Sequence, residues 1–315
     1  MSIIENMKTI VMKSDKMATT RERPFNLQPL GAVTCLGEAV RRRKPCGDGS
    51  TFNQLRAFTI VELLVVISII GVLAGLLLPV LSVAKVVAQK RQARLQISDL
   101  ETAIQQYDSA YSRFPVSKEV QGVAAGGDFT YGGTVLAPFT PPFTPNPISA
   151  NYVSNNSEVI AILMDITSYP GTGLSTANAN HQKNPQRTLF LNAKMGDAYN
   201  TNGVVGTDLV YRDPWGNPYI ISMDLNYDEQ CQDAFYSLQN VSQSPPPPHS
   251  YVQTGFNGLF NPNPTPANQA ERDNFLYHGK VMVWSVGPPI HGKPGIDPNL
   301  PATDPANKNH ILSWQ

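Results

Sequence analysis

Glu62 is the residue least in keeping with its surroundings. It stands inside FTIVELLVVISIIGVLAGLLLPVL, residues 58–81, as the only charge in a run of 24. A carboxylate inside hydrocarbon costs about 2.5–3.5 kcal/mol on insertion scales, so such a residue calls for a partner and a role. Reaction chemistry is not evident elsewhere. No HExxH, GxSxG, Walker loop or EF-hand pattern occurs. The five histidines (His181, His249, His278, His291, His310) are scattered, and solvated loop or strand-edge positions are expected for them. Cys231 lies near Asp228, Glu229 and Asp233, whose charges raise a thiol pKa and disfavour a nucleophile. Cys35, Cys46 and Cys231 form neither a zinc-ribbon spacing nor a disulfide scaffold. Tyr251, Phe256, Phe260, Phe275 and Tyr277 could line a carbohydrate platform or serve as ordinary core aromatics. The expectation is a protein that is not an enzyme.

The element that must hold Glu62 is a helix. At about 1.5 Å per residue, residues 58–81 cover roughly 36 Å, enough to span a bilayer. The 315-residue chain is formally neutral, with 24 basic and 24 acidic residues, but unevenly so. Its first 57 residues hold ten basic and five acidic side chains. Arg41, Arg42, Arg43, Lys44 and Arg56 precede the apolar run, which puts the N-terminus in the cytoplasm and the bulk outside. A secretory signal peptide has a shorter apolar region near the chain start. No global basic field argues for nucleic acid.

Beyond Pro79 an apolar stripe continues through Val83, Val87, Leu95, Leu100, Ile104, Tyr107 and Tyr111, with Lys85, Lys90, Arg91, Arg94, Asp99 and Glu101 on other faces. One helix of more than fifty residues is expected, ending before Pro115. Heptads do not persist, which disfavours a coiled coil. The region after it is loop-rich, with Pro-rich breaks at 136–147, 244–249 and 261–266. These breaks read as surface insertions in one domain, because no boundary separates two apolar cores. Phe129–Tyr131 forms a short piece between glycine pairs. Short helical turns are expected at 159–166 and 188–193. Strands are expected at 208–212, 219–223 and 279–287. Asp213-Pro214-Trp215-Gly216-Asn217 between the first two has a type I turn signature, with Asp213 placed to cap local amides.

Arg56-Ala57-Phe58-Thr59-Ile60-Val61-Glu62-Leu63-Leu64-Val65 closely resembles the cleavage and methylation motif of type IV pilins and type II secretion pseudopilins. The resemblance implies cleavage after Ala57, methylation of the new Phe58 amine, and an assembly role for Glu62. Pro79 falls where these families carry a helix-loosening proline. Ala57 stands where the family has Gly. DPWGNPY (213–219) is similar to a segment of the major pseudopilin of type II secretion, and 279–287 with the ending at Asn309–Trp314 resembles that family's last strand and terminus. There the intervening loop binds calcium, which implies Asp297, Asp304 and Asn309 as oxygen ligands here. Pro288-Pro289-Ile290-His291 replaces the family's Ala-Asp-Gly region.

The resemblance implies an α+β, pilin-like fold: a long N-terminal transmembrane helix packed on a small antiparallel sheet head with loop-rich insertions. Residues 1–57 would be a cytoplasmic leader removed by prepilin peptidase, 58–81 the transmembrane half of the helix, 82–113 its amphipathic half and 114–315 the head. The implied function is a structural subunit of an inner-membrane pseudopilus. Its partners would be other copies, other pseudopilins, the peptidase and the secretion platform, with the head periplasmic. A minor type IV pilin and a pilin-anchored carbohydrate-binding module are the alternatives.

Overall fold

A computed structural model of the chain describes residues 59–124, 126–132, 155–196, 202–290 and 295–315. Helix α1 runs Ile60–Tyr111, 52 residues without a break. Thr59 is its N-cap, and the Thr59 Oγ1 accepts from the Glu62 amide at 3.2 Å. Thr59 and Glu62 thus occupy the cap and third-residue positions of a capping box, where a carboxylate also faces the positive end of the helix dipole. Pro79 lies inside the helix and removes one backbone donor. Ser68 and Ser82 satisfy their hydroxyls by donating to the carbonyls of Leu64 and Pro79, both at 2.8 Å. The helix ends where Ser112 turns left-handed (φ 51°) and donates its amide to Asp108 O.

The remaining elements are α2 (Lys118–Ala124), β1 (Phe129–Tyr131), α3 (Ser157–Leu163), β2 (Met195–Gly196), β3 (Gly203–Val205), β4 (Tyr211–Arg212), β5 (Ile220–Met223), β6 (Gln230–Cys231), α4 (Gln239–Ser242), α5 (Gln269–Arg272), β7 (Tyr277–His278), β8 (Val281–Ser285) and β9 (Ile311–Leu312). The fold is α+β, as expected. The main sheet has the order β1-β5-β8-β9, antiparallel throughout, with Ile221 opposite Val283 and Trp284 opposite Leu312. Strands β2-β3-β4 make a second sheet, and β6-β7 pair separately.

The main sheet is buried on both faces. Successive side chains of a strand point to opposite sides, and here the odd positions Ile221, Met223, Val281 and Val283 pack with Ile97, Leu100, Ile104 and Tyr107 of α1. The even positions Ile220, Met282 and Trp284 pack against Phe235, Tyr236, Leu259 and Phe275. The chain between β5 and β8 therefore covers the second face of the sheet, and the expectation of a single apolar core is corrected to two cores sharing one sheet. Each fully buried Leu, Ile, Val or Phe side chain adds about 1.5–3 kcal/mol.

Two further expectations are corrected, and the aromatics weighed as core or platform are placed. The buried face of α1 is Ala93, Gln96, Ile97, Leu100, Ala103, Ile104 and Tyr107, while Val83, Val87 and Leu95 are exposed. Leu95 is two residues, about 200°, from Ile97, so both cannot face one sheet. Residues 188–193 form no helix and no strand, with the amides of Phe190 and Leu191 donating to Leu163 O. The aromatics considered for a platform are divided: Phe275 is buried, Phe256 and Tyr277 pack against the second core, and Phe260 stacks on His278 at 4.0 Å.

Candidate assembly site

The apolar half of α1 is fully exposed, and it is the one helix among the described residues long and apolar enough to cross a membrane. Glu62 stands on its first turn, exposed. Ala57 and Phe58, where cleavage is expected, lie outside the described residues. The chemistry available is charge pairing. The Glu62 carboxylate, placed in hydrocarbon, needs an opposite charge.

The turn after β4 forms as its residue types dictate. Gly216 N donates to Asp213 O at 3.0 Å, and Gly216 takes the left-handed region (φ 91°) that a side chain disfavours. The Asp213 Oδ1 accepts from the amides of Trp215 and Asn217, both at 2.9 Å. Sequence reasoning stopped there, and the structure adds a long-range clasp. The Asp213 Oδ2 accepts from Ser285 Oγ at 2.6 Å and from Asn217 Nδ2 at 3.3 Å, and that same Nδ2 also donates to Gly287 O at 3.3 Å. Asp213 is fully buried, and burial pushes its carboxyl up to about 6 against the lowering effect of these hydrogen bonds. Pro214 presents its carbonyl to Gln89 Nε2 of α1 at 3.3 Å, and Trp215 packs against the first core. The two segments that resemble the pseudopilin head thus meet in space, and their junction touches the membrane-proximal end of the buried helix face. At Gly287 (φ 75°) the Asn309 carbonyl occupies the place a Cβ would need.

The loop between β8 and β9 is organised around Asn307, a residue not singled out from the sequence. Its side chain is 1% exposed. Its Oδ1 accepts from Asp297 N at 2.8 Å, and its Nδ2 faces the carbonyls of Asp297, Leu300 and Pro301 at 2.8, 2.9 and 3.1 Å. Asp297 Oδ1 accepts from Asn299 N, and Asp304 Oδ1 from Ala306 N, both at 2.9 Å, so each carboxylate caps its own turn. His310, buried rather than solvated, bridges Tyr236 OH and Gly295 O at 2.7 Å each. Burial lowers it to about 4, so its imidazole is neutral at pH 7. These described residues do not fit a calcium shell. Both carboxylates are spent on their own turns, the carbonyls of Asp297, Leu300 and Pro301 face the Asn307 amide, and no group of three or more His, Cys, Asp or Glu that could hold a metal occurs among the described residues. His291, in the replaced segment, lies outside them. Asn307→Ala should lower stability by about 2–3 kcal/mol, because a buried amide and three carbonyls lose partners. The parent should melt at one temperature with millimolar calcium or with chelator. A lower melting temperature in chelator would show that a cation does hold the loop.

The sequence also missed Asp233. It is fully buried between sheet and second core, where Oδ1 accepts from the amides of Phe235 and Tyr236 (both 2.9 Å) and Oδ2 from Ser222 Oγ (2.6 Å) and Trp284 Nε1 (2.9 Å). Its pKa is raised by burial. Cys231 beside it is buried, and burial, then Asp128 and Asp233, push its thiol up.

Taken together, an exposed apolar half-helix with one carboxylate on its first turn continues into a half-helix that packs on a sheet head, and by length and composition the first half is apolar enough to cross a membrane. The chain carries the prokaryotic N-terminal methylation motif, matched over residues 53–78. It is similar to the type II secretion system core protein G of Dickeya chrysanthemi, 38% identical over 90 residues, which is 29% of this chain and 52% of that protein. The protein of the same name from Pectobacterium carotovorum subsp. carotovorum is 35% identical over 80 residues (24% and 51%), and that of Escherichia coli strain K12 is 36% identical over 101 residues (32% and 63%). The chain spans about half the length of the first two relatives. No solved structure matches it.

Proposed function

We propose that the chain is a structural subunit of a type II secretion pseudopilus, assembled through α1 after leader removal. The observation that carries this reading is α1 itself: one unbroken helix whose first half is apolar, exposed and marked by Glu62, and whose second half is buried on the head. The methylation motif and the similarity to core protein G support it. A prepilin peptidase cuts after Ala57, and the amine of Phe58 is methylated. The subunit then waits in the inner membrane, N-terminus cytoplasmic and head periplasmic. The Phe58 amine and Glu62 carboxylate disfavour this monomeric state, because neither charge has a hydrocarbon-compatible partner. In a stack of staggered copies, Glu62 of one meets the Phe58 amine of the next, so desolvation becomes a register signal. Other pseudopilins and the inner-membrane secretion platform would be its further partners.

Intact-mass measurement of the membrane-extracted chain tests the processing step. The expected product begins at Phe58 with one added methyl. A chain keeping residues 1–57 beside an active prepilin peptidase would overturn the reading.

A further inference from the structure

Between Glu62 and Asp99 the chain holds four cations, Lys85, Lys90, Arg91 and Arg94, and no acid. Lys85, Arg91 and Arg94 are exposed and Lys90 is half-buried. None of the four side chains enters an ion pair or a hydrogen bond among the described residues. Asp213, in the turn that reaches Gln89, is buried and bonded to its own turn and to Ser285. Asp208 is paired with Arg212 at 2.6 Å.

Height along the helix and spread around it define what these cations meet. Ile60 to Leu81 covers roughly 32 Å, close to the about 30 Å of bilayer hydrocarbon. Lys85 then stands roughly 6 Å beyond the hydrocarbon, in the headgroup layer. Lys90 and Arg91 stand roughly 14 and 15 Å beyond it. Helical side chains lean toward the helix N-terminus, which here means back toward the bilayer. Both cations therefore act on the headgroups within about a Debye length, about 10 Å at 0.1 M salt. Around the axis, Lys90 lies about 140° and Arg91 about 240° from Lys85. The three ring the helix with no gap wider than about 140°. A protein partner approaches from one side and calls for cations on one face. A ring is matched by a medium that surrounds the helix, and at this height that medium is the headgroup layer.

We propose that Lys85, Lys90 and Arg91 form a collar that binds the phosphates of anionic phospholipids where α1 leaves the hydrocarbon. Arg94, one turn further, adds to the field. This rests on the membrane-spanning part of the function proposed above, but not on its direction or on any stagger between copies, because both leaflets present phosphates. Bound headgroups fix the depth of the helix, and with it the height of the head, whose turn after β4 is fastened to Gln89 between Lys85 and Lys90.

The test reconstitutes the full-length chain in phosphatidylcholine vesicles holding a minor share of phosphatidylglycerol, and native mass spectrometry counts the lipids that stay bound. The parent should retain phosphatidylglycerol well above its share of the bilayer. Each of Lys85→Gln, Lys90→Gln and Arg91→Gln should lower that preference about five-fold, and the triple variant should show none. Replacing the three by Arg, Arg and Lys should preserve it. Lys280→Gln, at a cation that pairs with Asp108 far along α1, should leave it unchanged. A parent without preference, or a triple variant that keeps it, would overturn the collar. Carbodiimide cross-links from these cations to a second copy, in place of lipid retention, would overturn it too and assign them to a subunit contact. Flotation with pure phosphatidylcholine vesicles separates the two levels. A chain that floats but shows no lipid preference removes the collar alone, and one that does not float removes the membrane-spanning reading with it.

Discussion

Glu62→Ala should abolish filament assembly while leaving the subunit in the membrane at its normal level or above. The two effects separate because they come from opposite sides of one free-energy difference. Inserting the helix with a carboxylate in its apolar half costs about 2.5–3.5 kcal/mol, and alanine removes that cost in the isolated subunit. In the proposed stack the same carboxylate would pair with a neighbouring amine, and its loss would leave that amine unpaired in hydrocarbon, which is strongly unfavourable. The exposure of this whole half-helix in the structure means no contact with the head compensates. Insertion is read by membrane fractionation and assembly by cross-linking within the bilayer. Cross-linked ladders that survive the substitution unchanged would remove Glu62 from the assembly mechanism.

Asp213→Ala should cost about 3 kcal/mol of head stability. The substitution strands two backbone amides, the Asn217 side chain and the Ser285 hydroxyl around a buried site. It also unfastens the turn after β4 from the end of β8. The loss should depend on pH in a defined direction. The folded carboxyl is raised to about 6 from an ordinary 3.8, so the fold holds this proton more tightly than the unfolded chain does. Parent stability from this group is then complete below about pH 4 and is lost as pH rises through about 6, falling by about 1.4 kcal/mol for each pH step between those two values. The gap between parent and Asp213→Ala should accordingly be widest near pH 4 and narrow toward pH 7. Titratable groups common to both chains, His310 among them, cancel in the difference. Melting curves of parent and variant across pH 4–8 measure it, and a gap that widens with pH would show the assigned proton linkage to be wrong.

What could be read from the sequence was whatever neighbouring residues decide among themselves. The length of the apolar run, the single charge in it, the end of α1 before Pro115 and the Asp-Pro-Trp-Gly turn all follow from spacing within a few residues. β5 and β8 were likewise legible as short apolar runs bounded by turn residues. The family resemblance carried the fold, and the methylation motif bears on the same stretch.

Tertiary structure alone decided which surfaces those elements bury. Leu95 fits an apolar stripe in sequence, but the sheet packs against Ile97 and Leu100 instead, because a stripe has no inner side until a partner defines one. The chain between β5 and β8 looked like surface decoration because of its Pro-rich breaks, yet Phe235, Tyr236 and Phe275 close the second face of the sheet. Asp233, Asn307 and His310 are ordinary polar residues in sequence. They become buried fasteners because their partners come from Ser222 and Trp284, from the carbonyls of Asp297, Leu300 and Pro301, and from Tyr236 and Gly295. Asp213 shows both parts in one side chain: its Oδ1 bonds were set by residues two and four positions on, while the Ser285 bond, 72 residues away, existed only once the strands had packed. Local hydrogen bonds can be inferred from local spacing. A buried polar group is stable only where distant donors or acceptors arrive to replace water, and folding alone brings them there.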